Sequence, residues 1–301
     1  MTQALVLGRR RKGRGIGAAV ADVARQLEAA GWTVDARMVD RKRQLRRETK
    51  RAVAAGVDTV VAVGGDGAVL QVVQKLAETK VALGIVPKGT GNLLATNLGI
   101  PKTPEGAVQV LLGQRQRVID VGRVKADRKR RFFAVACGVG FDADVMKATA
   151  KSRKRRFGKL AYVASALGQR HKVGNVPHEI TIDGTTQTGL ATQVFVANFG
   201  GMGFGFEPRL EIKPDDGVLD VIIVRAAGPV EGLLAGWEAI LQRRHGRTSS
   251  GRVFRTHAHE VRIDAGEKRL VETDGSVIGT TPIEISIVPA ALSVLVPPDE
   301  A

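Results

Sequence analysis

The chain has one cysteine, one tyrosine, two tryptophans and nine phenylalanines among its 301 residues. A lone Cys137 excludes any internal disulfide framework. Its setting in the apolar run FFAVACGVG reads as buried packing rather than a reactive thiol. With aromatics at 4%, stacking platforms for single-stranded nucleic acid are scarce. No zinc-ligand spacing or other nucleic-acid motif is present either, so nucleic acid is not an expected partner. Long apolar runs are missing too: nowhere do about 18 uninterrupted apolar residues occur, and no spanning helix is expected. Acidic residues are few. Against 46 Lys and Arg stand 30 Asp and Glu, a formal net charge of +16.

A charge of that size and sign calls for a polyanionic partner. An anionic membrane leaflet fits best, at about 1 kcal/mol per basic residue close to the surface. The first residues, MTQALVLGRRRKGRG, place their apolar part before their basic part, the reverse of a secretory signal. The expectation is a cytoplasmic protein acting peripherally at the inner face of the membrane. The length suffices for two domains with proper cores.

What is present is organised around Val57 to Val72. Thr59 to Val63 is a β-branched apolar run, the mark of a fully buried strand of a parallel sheet. Gly64-Gly65-Asp66-Gly67 stops it, and Ala68 to Leu76 has helical periodicity. Two readings fit the glycines. One is an ordinary Asp-Gly turn. The other is a phosphate loop whose backbone approaches a ligand closely at a helix N-terminus. Val81 to Val86 repeats the arrangement, ending in Pro87-Lys88-Gly89-Thr90-Gly91-Asn92 before a helix predicted over Leu93 to Leu98. Two such turns at the carboxyl ends of successive strands would line one crevice, where open α/β sheets bind ligands.

Around this centre, Ala4 to Leu7 is a first strand, followed by the basic, glycine-bearing turn Gly8 to Gly15 and a helix from Ile16. That turn suits either an anion or plain solvent. Trp32 to Val39 is a second strand and Asp40 to Ala54 a charged outer helix; Thr103 to Leu112 is a short helix and Arg117 to Val124 a strand. The alternation predicts a parallel sheet with right-handed crossovers. Beyond it the texture changes to short runs broken by Gly, Asp-Gly and Pro: Arg131 to Val139, His178 to Asp183, Ala191 to Ala197, Gly217 to Val224, His259 to Ile263 and Pro282 to Val288. These predict a mainly β, sandwich-like second domain. Val230 to Arg244 reads as a packed helix. Lys147 to Arg170 reads as an amphipathic helix with the basic run Lys151 to Arg156; its apolar stripe reads first as cover for the sandwich core, with an anionic bilayer as the alternative, and both can hold at once. His257 and His259 share a strand face without a third ligand, so no metal is expected there.

With GGDG, PKGTGN, Lys213-Pro214-Asp215-Asp216-Gly217-Val218-Leu219-Asp220 and Glu272-Thr273-Asp274-Gly275-Ser276 in this order, the chain resembles the soluble diacylglycerol kinase-like lipid kinases, a superfamily that includes sphingosine and ceramide kinases. The resemblance implies an α/β nucleotide-binding domain over 1–124 plus 289–301, a β-sandwich-like lipid domain over 125–288, and an active site in the cleft between them. It implies an ATP- and Mg²⁺-dependent kinase acting on the hydroxyl of a membrane lipid, diacylglycerol first, with a sphingoid or ceramide-type acceptor as the alternative.

On that basis Gly64, Gly65, Asp66, Gly67 and Ala68, with Gly89, Thr90 and Asn92, bind the nucleotide. Val39 or Asp40 lies near it, and Asn198 sits near the cleft. Asp66 supports Mg²⁺, directly or through water. The resemblance also gives a second metal site: the Asp216 carboxylate with the carbonyls of Lys213 and Val218, where a simple Asp-Asp-Gly turn fits the residue types as well. Asp274 is the expected general base. Three departures stand out: Gly8-Arg9 replaces an Asn-Pro pair, Ala68 replaces a hydroxyl residue, and Ser276 replaces a glutamate. The last two make a nucleotide- and lipid-binding homologue without efficient catalysis a further alternative. NAD kinase also carries GGDG, but its downstream Asn-Glu pair is Asn92-Leu93 here.

Overall fold

The computed structural model describes residues 1–11, 13, 15–127, 129–140, 175–201, 212–225, 246–247 and 250–298. The predicted helices over Val230 to Arg244 and Lys147 to Arg170, with the basic run Lys151 to Arg156, lie outside these. Two compact units emerge: Met1–Val121 with Phe132–Ala134 and Val288–Ala301, and Gly122–Arg131 with Val135–Ile287.

The first unit alternates strand and helix: β1 (Gln3–Arg9), α1 (Ile16–Ala29), β2 (Thr33–Val39), α2 (Lys42–Ala54), β3 (Thr59–Gly64), α3 (Asp66–Leu76), β4 (Ala82–Pro87), α4 (Leu93–Asn97) and α5 (Pro104–Gly113). β1 pairs in parallel with β2 and β3, and β3 with β4, in the register Val60↔Leu83. Every residue of β3 and β4 is buried, as their unbroken apolar runs require of strands covered on both faces. α1 packs beside α5 and α2 beside α3. α1 buries Ile16, Val20, Val23 and Leu27 at helical spacing. Gly84 lets α5 down onto the sheet, because a Cβ there would meet Leu111 at 2.6 Å.

α2 has an ionic inner face. Glu48, with its side chain 6% exposed, accepts from Arg37 at 2.6 Å, Arg47 at 3.0 Å and Arg51 at 3.2 Å. Burial pushes its pKa up, but the hydrogen bonds from Arg47, Arg37 and Arg51 outweigh it and hold the carboxyl below its usual range. A carboxylate with a depressed folded pKa stabilises the protein above its unfolded pKa, about 4.3, and loses that contribution as pH falls through the folded value. Because the three arginines keep water access, Glu48→Gln is expected to cost only about 1–2 kcal/mol at neutral pH. Thermal melts at pH 7 and in acid check this: the penalty should shrink as pH falls.

The second unit is all β in its described part, with α4 and α5 having no counterpart there. Its strands follow β5 (Gln116–Ala126), which runs out of the first unit: β6 (Lys129–Phe133), β7 (Ala136–Val139), β8 (Val176–Ile182), β9 (Thr185–Ala191), β10 (Gln193–Ala197), β11 (Leu219–Val224), β12 (Gly246–Arg247), β13 (Val253–Ala258), β14 (Glu260–Asp264), β15 (Leu270–Thr273), β16 (Ser276–Thr280) and β17 (Ile283–Leu295). One antiparallel sheet runs β12-β13-β11-β10-β7-β15-β16. In the other, β8 pairs with β9 and β14, and β14 with Ile283–Ser286 of β17. The sandwich-like second domain expected from the sequence is present. Farther along β17, Val294 belongs to the first unit and pairs in parallel with Leu83 of β4.

Two predicted runs divide. Arg131 to Val139 breaks between β6 and β7 because Val135 bonds away from the strands, its N–H to Asp274 and its carbonyl to the amides of Asn198 and Phe199. Ala191 to Ala197 breaks at Thr192, whose amide bonds Val224 and whose hydroxyl bonds Asn175.

Candidate active site

In the first unit the two glycine turns are pressed together. A Cβ on Gly65 would lie 2.7 Å from the Gly89 Cα, so only glycines let the backbones approach this closely. Asp66 ties the turns: its Oδ2 accepts from the Asn92 amide at 2.9 Å and its Oδ1 from the Leu93 amide. Asn92 in turn takes the Gly89 amide on Oδ1 at 2.8 Å and gives Nδ2 to the Gly89 carbonyl at 3.2 Å. The asparagine expected to face a ligand is therefore 8% exposed and committed to the turn that carries it, while Thr90 is exposed. Gly65 is the N-cap of α3 with no side-chain cap, and among the described residues the Asp66 and Gly67 amides meet no protein acceptor. Open amides at a helix start suit a phosphate.

The basic turn expected from Gly8 starts only past β1, which includes Gly8 and Arg9; a Cβ on Gly8 would lie 2.6 Å from Val20 and 2.9 Å from Ile16 and Met38. Packing of α1 over the strand end accounts for glycine in place of the asparagine usual among the lipid kinases it resembles. Lys12 and Arg14 of this turn lie outside the described residues. Beside the Gly67 turn stands a side chain that carried no sequence signal, Lys42, with Arg9 and Arg11 near it. Only the fold brings it there, from a charged helix that reads as plain surface.

In the second unit, Asp274 and Gly275 occupy the turn between β15 and β16, at φ 44 and 77, the left-handed pair of a type I′ hairpin. The Asp274 Oδ1 accepts from the Val135 and Ala136 amides at 2.9 and 3.0 Å, and its own amide donates to the Ala136 carbonyl at 3.1 Å. The carboxylate is thus fixed in orientation. Asp216 is exposed and accepts from the Val218 amide at 3.3 Å, an Asx turn. Lys213 is exposed and Val218 half-buried. Asp220, from the same motif, is buried and pairs with the equally buried Arg255 at 2.6 Å, with His257 at 3.8 Å. Asn198 is fully buried at the end of β10, its amide on the Val135 carbonyl at 2.8 Å. Cys137 is buried, and burial, then Asp274 and Glu272, push its thiol pKa far up, as befits packing. No group of three or more metal-binding side chains occurs among the described residues.

A family model of the diacylglycerol kinase catalytic domain matches residues 3–124, and a model of the YegS C-terminal NAD kinase beta sandwich-like domain matches residues 135–296. The chain belongs to the diacylglycerol kinase family. A Mycobacterium tuberculosis protein named diacylglycerol kinase is 31% identical over 251 residues, covering 82% of this chain and 79% of its own. A Pseudomonas savastanoi protein named "Probable lipid kinase YegS-like" is 29% identical over 283 residues, covering 93% and 88%. A crystal structure of a Bacillus anthracis diacylglycerol kinase matches with a TM-score of 0.74 at 21% identity, covering 98% of this chain and 97% of that one, a likeness of fold. Within this lipid kinase family, the braced GGDG and PKGTGN turns lie in the region matched to the catalytic domain. Asp216 and Asp274 lie in the region matched to the second. Among the described residues no helix is long and apolar enough to cross a membrane.

Proposed function

We propose that the protein transfers the terminal phosphoryl group of ATP, with Mg²⁺, to the hydroxyl of a membrane lipid, diacylglycerol in the first instance. The observation that carries this reading is the paired glycine turn braced by Asp66, with open amides at the start of α3. Phosphoryl transfer asks a protein mainly for positioning and charge neutralisation, and preformed amides meet the first demand without reorganisation.

The oxygen donors offered for Mg²⁺ are those a hard, partly hydrated cation takes: a carboxylate and main-chain carbonyls. Among the described residues Asp216 takes the Val218 amide on Oδ1 and no donor on Oδ2, and Lys213 and Val218 would supply carbonyls. When bound, Mg²⁺ neutralises charge on the phosphate oxygens. Asp66, whose oxygens each hold an amide, has only its remaining lone pairs to offer, directly or through water. Gly64, Gly65, Gly67 and Ala68 line the phosphate turn, with Gly89 and Thr90 across from it. Asp274 accepts the proton of the lipid hydroxyl as its oxygen bonds phosphorus and the bond to the ADP oxygen breaks. Fixing that carboxylate by two amides removes rotamers that would point it away from the proton.

An anionic membrane surface is the proposed docking partner. The net charge of +16 supports it, as does a groove in the second unit lined by Arg123, Lys125, Arg130 and Arg262 against Glu260 and Glu284. A sphingoid or ceramide acceptor remains the competing lipid, and Ala68 and Ser276 favour a weakened, binding-only homologue as the second reading.

Radiolabelled ATP with mixed micelles of diacylglycerol, ceramide or sphingosine tests this, with Mg²⁺-dependent labelling of diacylglycerol as the expected result. No labelling of any lipid, with ATP still bound, overturns the kinase reading in favour of the second. Asp274→Asn keeps an acceptor oxygen for the Val135 and Ala136 amides and should leave the melting midpoint near wild type. Turnover is expected to fall about 10²- to 10⁴-fold with ATP affinity retained.

A further inference from the structure

α2 begins in an unfavourable way. Its first residue is Lys42, between Arg41 and Arg43, and its first turn holds no acidic residue. A helix N-terminus carries positive dipole charge, so cations there are destabilising. The backbone itself is capped, as the Gln44 Oε1 accepts the amides of Asp40 and Arg41 at 3.1 and 2.7 Å. The lysine contributes nothing to that cap. Nor does Lys42 have a carboxylate partner among the described residues, whereas Arg10 has Asp40 at 3.8 Å and Arg37 has Asp35 and Glu48 at 2.6 Å.

Its ammonium is instead set against the phosphate turn. A Cβ built on Gly67 would lie 3.5 Å from the Lys42 Nζ and 3.7 Å from its Cε, in ordinary van der Waals contact, which places the ammonium beside the turn. Partial desolvation there, followed by repulsion from Arg9 and Arg11, lowers its pKa. Lys42 is thus held, at an energetic cost, beside the open helix amides, with Arg9 and Arg11 close enough to repel it. An anion placed there relieves the repulsion, and the more charge it carries the greater the relief.

We propose that Lys42 is a specificity-determining residue for the polyphosphate tail of the nucleotide, reading its outer phosphates against the Gly67 turn. This rests on the nucleotide reading above and adds a residue to it. The preference Lys42 creates is for triphosphate over monophosphate, because AMP has no outer phosphate to meet the lysine.

The test is titration of ATP and AMP into the wild-type protein and into Lys42→Gln, with melting of both in the absence of nucleotide. Lys42→Gln is expected to weaken ATP binding about tenfold, the loss of one charged hydrogen bond, and to leave AMP within about twofold. The nucleotide-free variant should melt at or above the wild-type midpoint, since like-charge crowding is relieved; a structural lysine would lower it. Equal loss for ATP and AMP, or no loss for either, overturns the assignment of Lys42 while the nucleotide reading stands. Failure of the wild-type protein to bind ATP at all overturns both.

Discussion

Asp66→Asn is expected to lower the melting midpoint of the nucleotide-free protein and to reduce phosphoryl transfer about 100-fold or more. The carboxylate accepts one amide on each oxygen, from Asn92 and Leu93. Asparagine can satisfy only one of these and turns an amide hydrogen toward the other donor. Hydrogen bonds to a charged group contribute roughly 1.5–3 kcal/mol, so the stability loss should be about 2–3 kcal/mol. The catalytic loss follows from displacement: once Asp66 releases α4, the PKGTGN turn shifts against the GGDG turn, and about 1 Å of misplacement costs on the order of 10²-fold. Calorimetry without nucleotide or Mg²⁺ separates this bracing role from a purely metal-holding one. An Asp66→Asn protein that melts like wild type and fails only in Mg²⁺-dependent transfer would show that the braces are dispensable.

Arg255→Met is expected to be the most damaging single change in the second unit. Asp220 and Arg255 are 1% and 3% exposed and meet at 2.6 Å across β11 and β13. Removing the arginine takes the 2.6 Å ion-pair partner from a buried carboxylate, which costs about 3–5 kcal/mol. The neighbouring His257 is 3.8 Å from Asp220 and gives partial relief only when protonated. The double change Asp220→Leu with Arg255→Met should recover most of the loss, because a well-packed apolar pair of similar volume is commonly neutral or better. Chemical denaturation of the wild-type, single and double variants measures the coupling. If Arg255→Met melts within about 1 kcal/mol of wild type, the pair is not an internal tie.

The parts legible in the sequence were those governed by local rules. Thr59 to Val63 and Val81 to Val86 announce buried parallel strands because nothing polar interrupts them, and both are buried throughout. The glycine turns were legible because few other residues allow two backbones to meet as Gly65 and Gly89 do. β9 was missed because all but its last residue are exposed, so no apolar alternation marks it. β15 and β16 were read as a chemical motif alone, although Asp274-Gly275 is also their hairpin turn. The bracing role of Asp66, the commitment of Asn92 to Gly89 and the position of Lys42 depend on contacts between segments far apart in sequence. No periodicity encodes such contacts.

The last strand carries a consequence for biosynthesis. β4 pairs with Val294, the Glu78 amide bonds the Ala291 carbonyl, and the Ala290 amide bonds the Asp120 carboxylate at 2.7 Å. A ribosome makes all of the second unit before these partners leave its exit tunnel. Until then the nascent first unit shows an unpaired β4 edge to the cytosol for as long as the second unit takes to be made. The order of synthesis therefore makes the first unit's sheet the last part of the described fold to be completed.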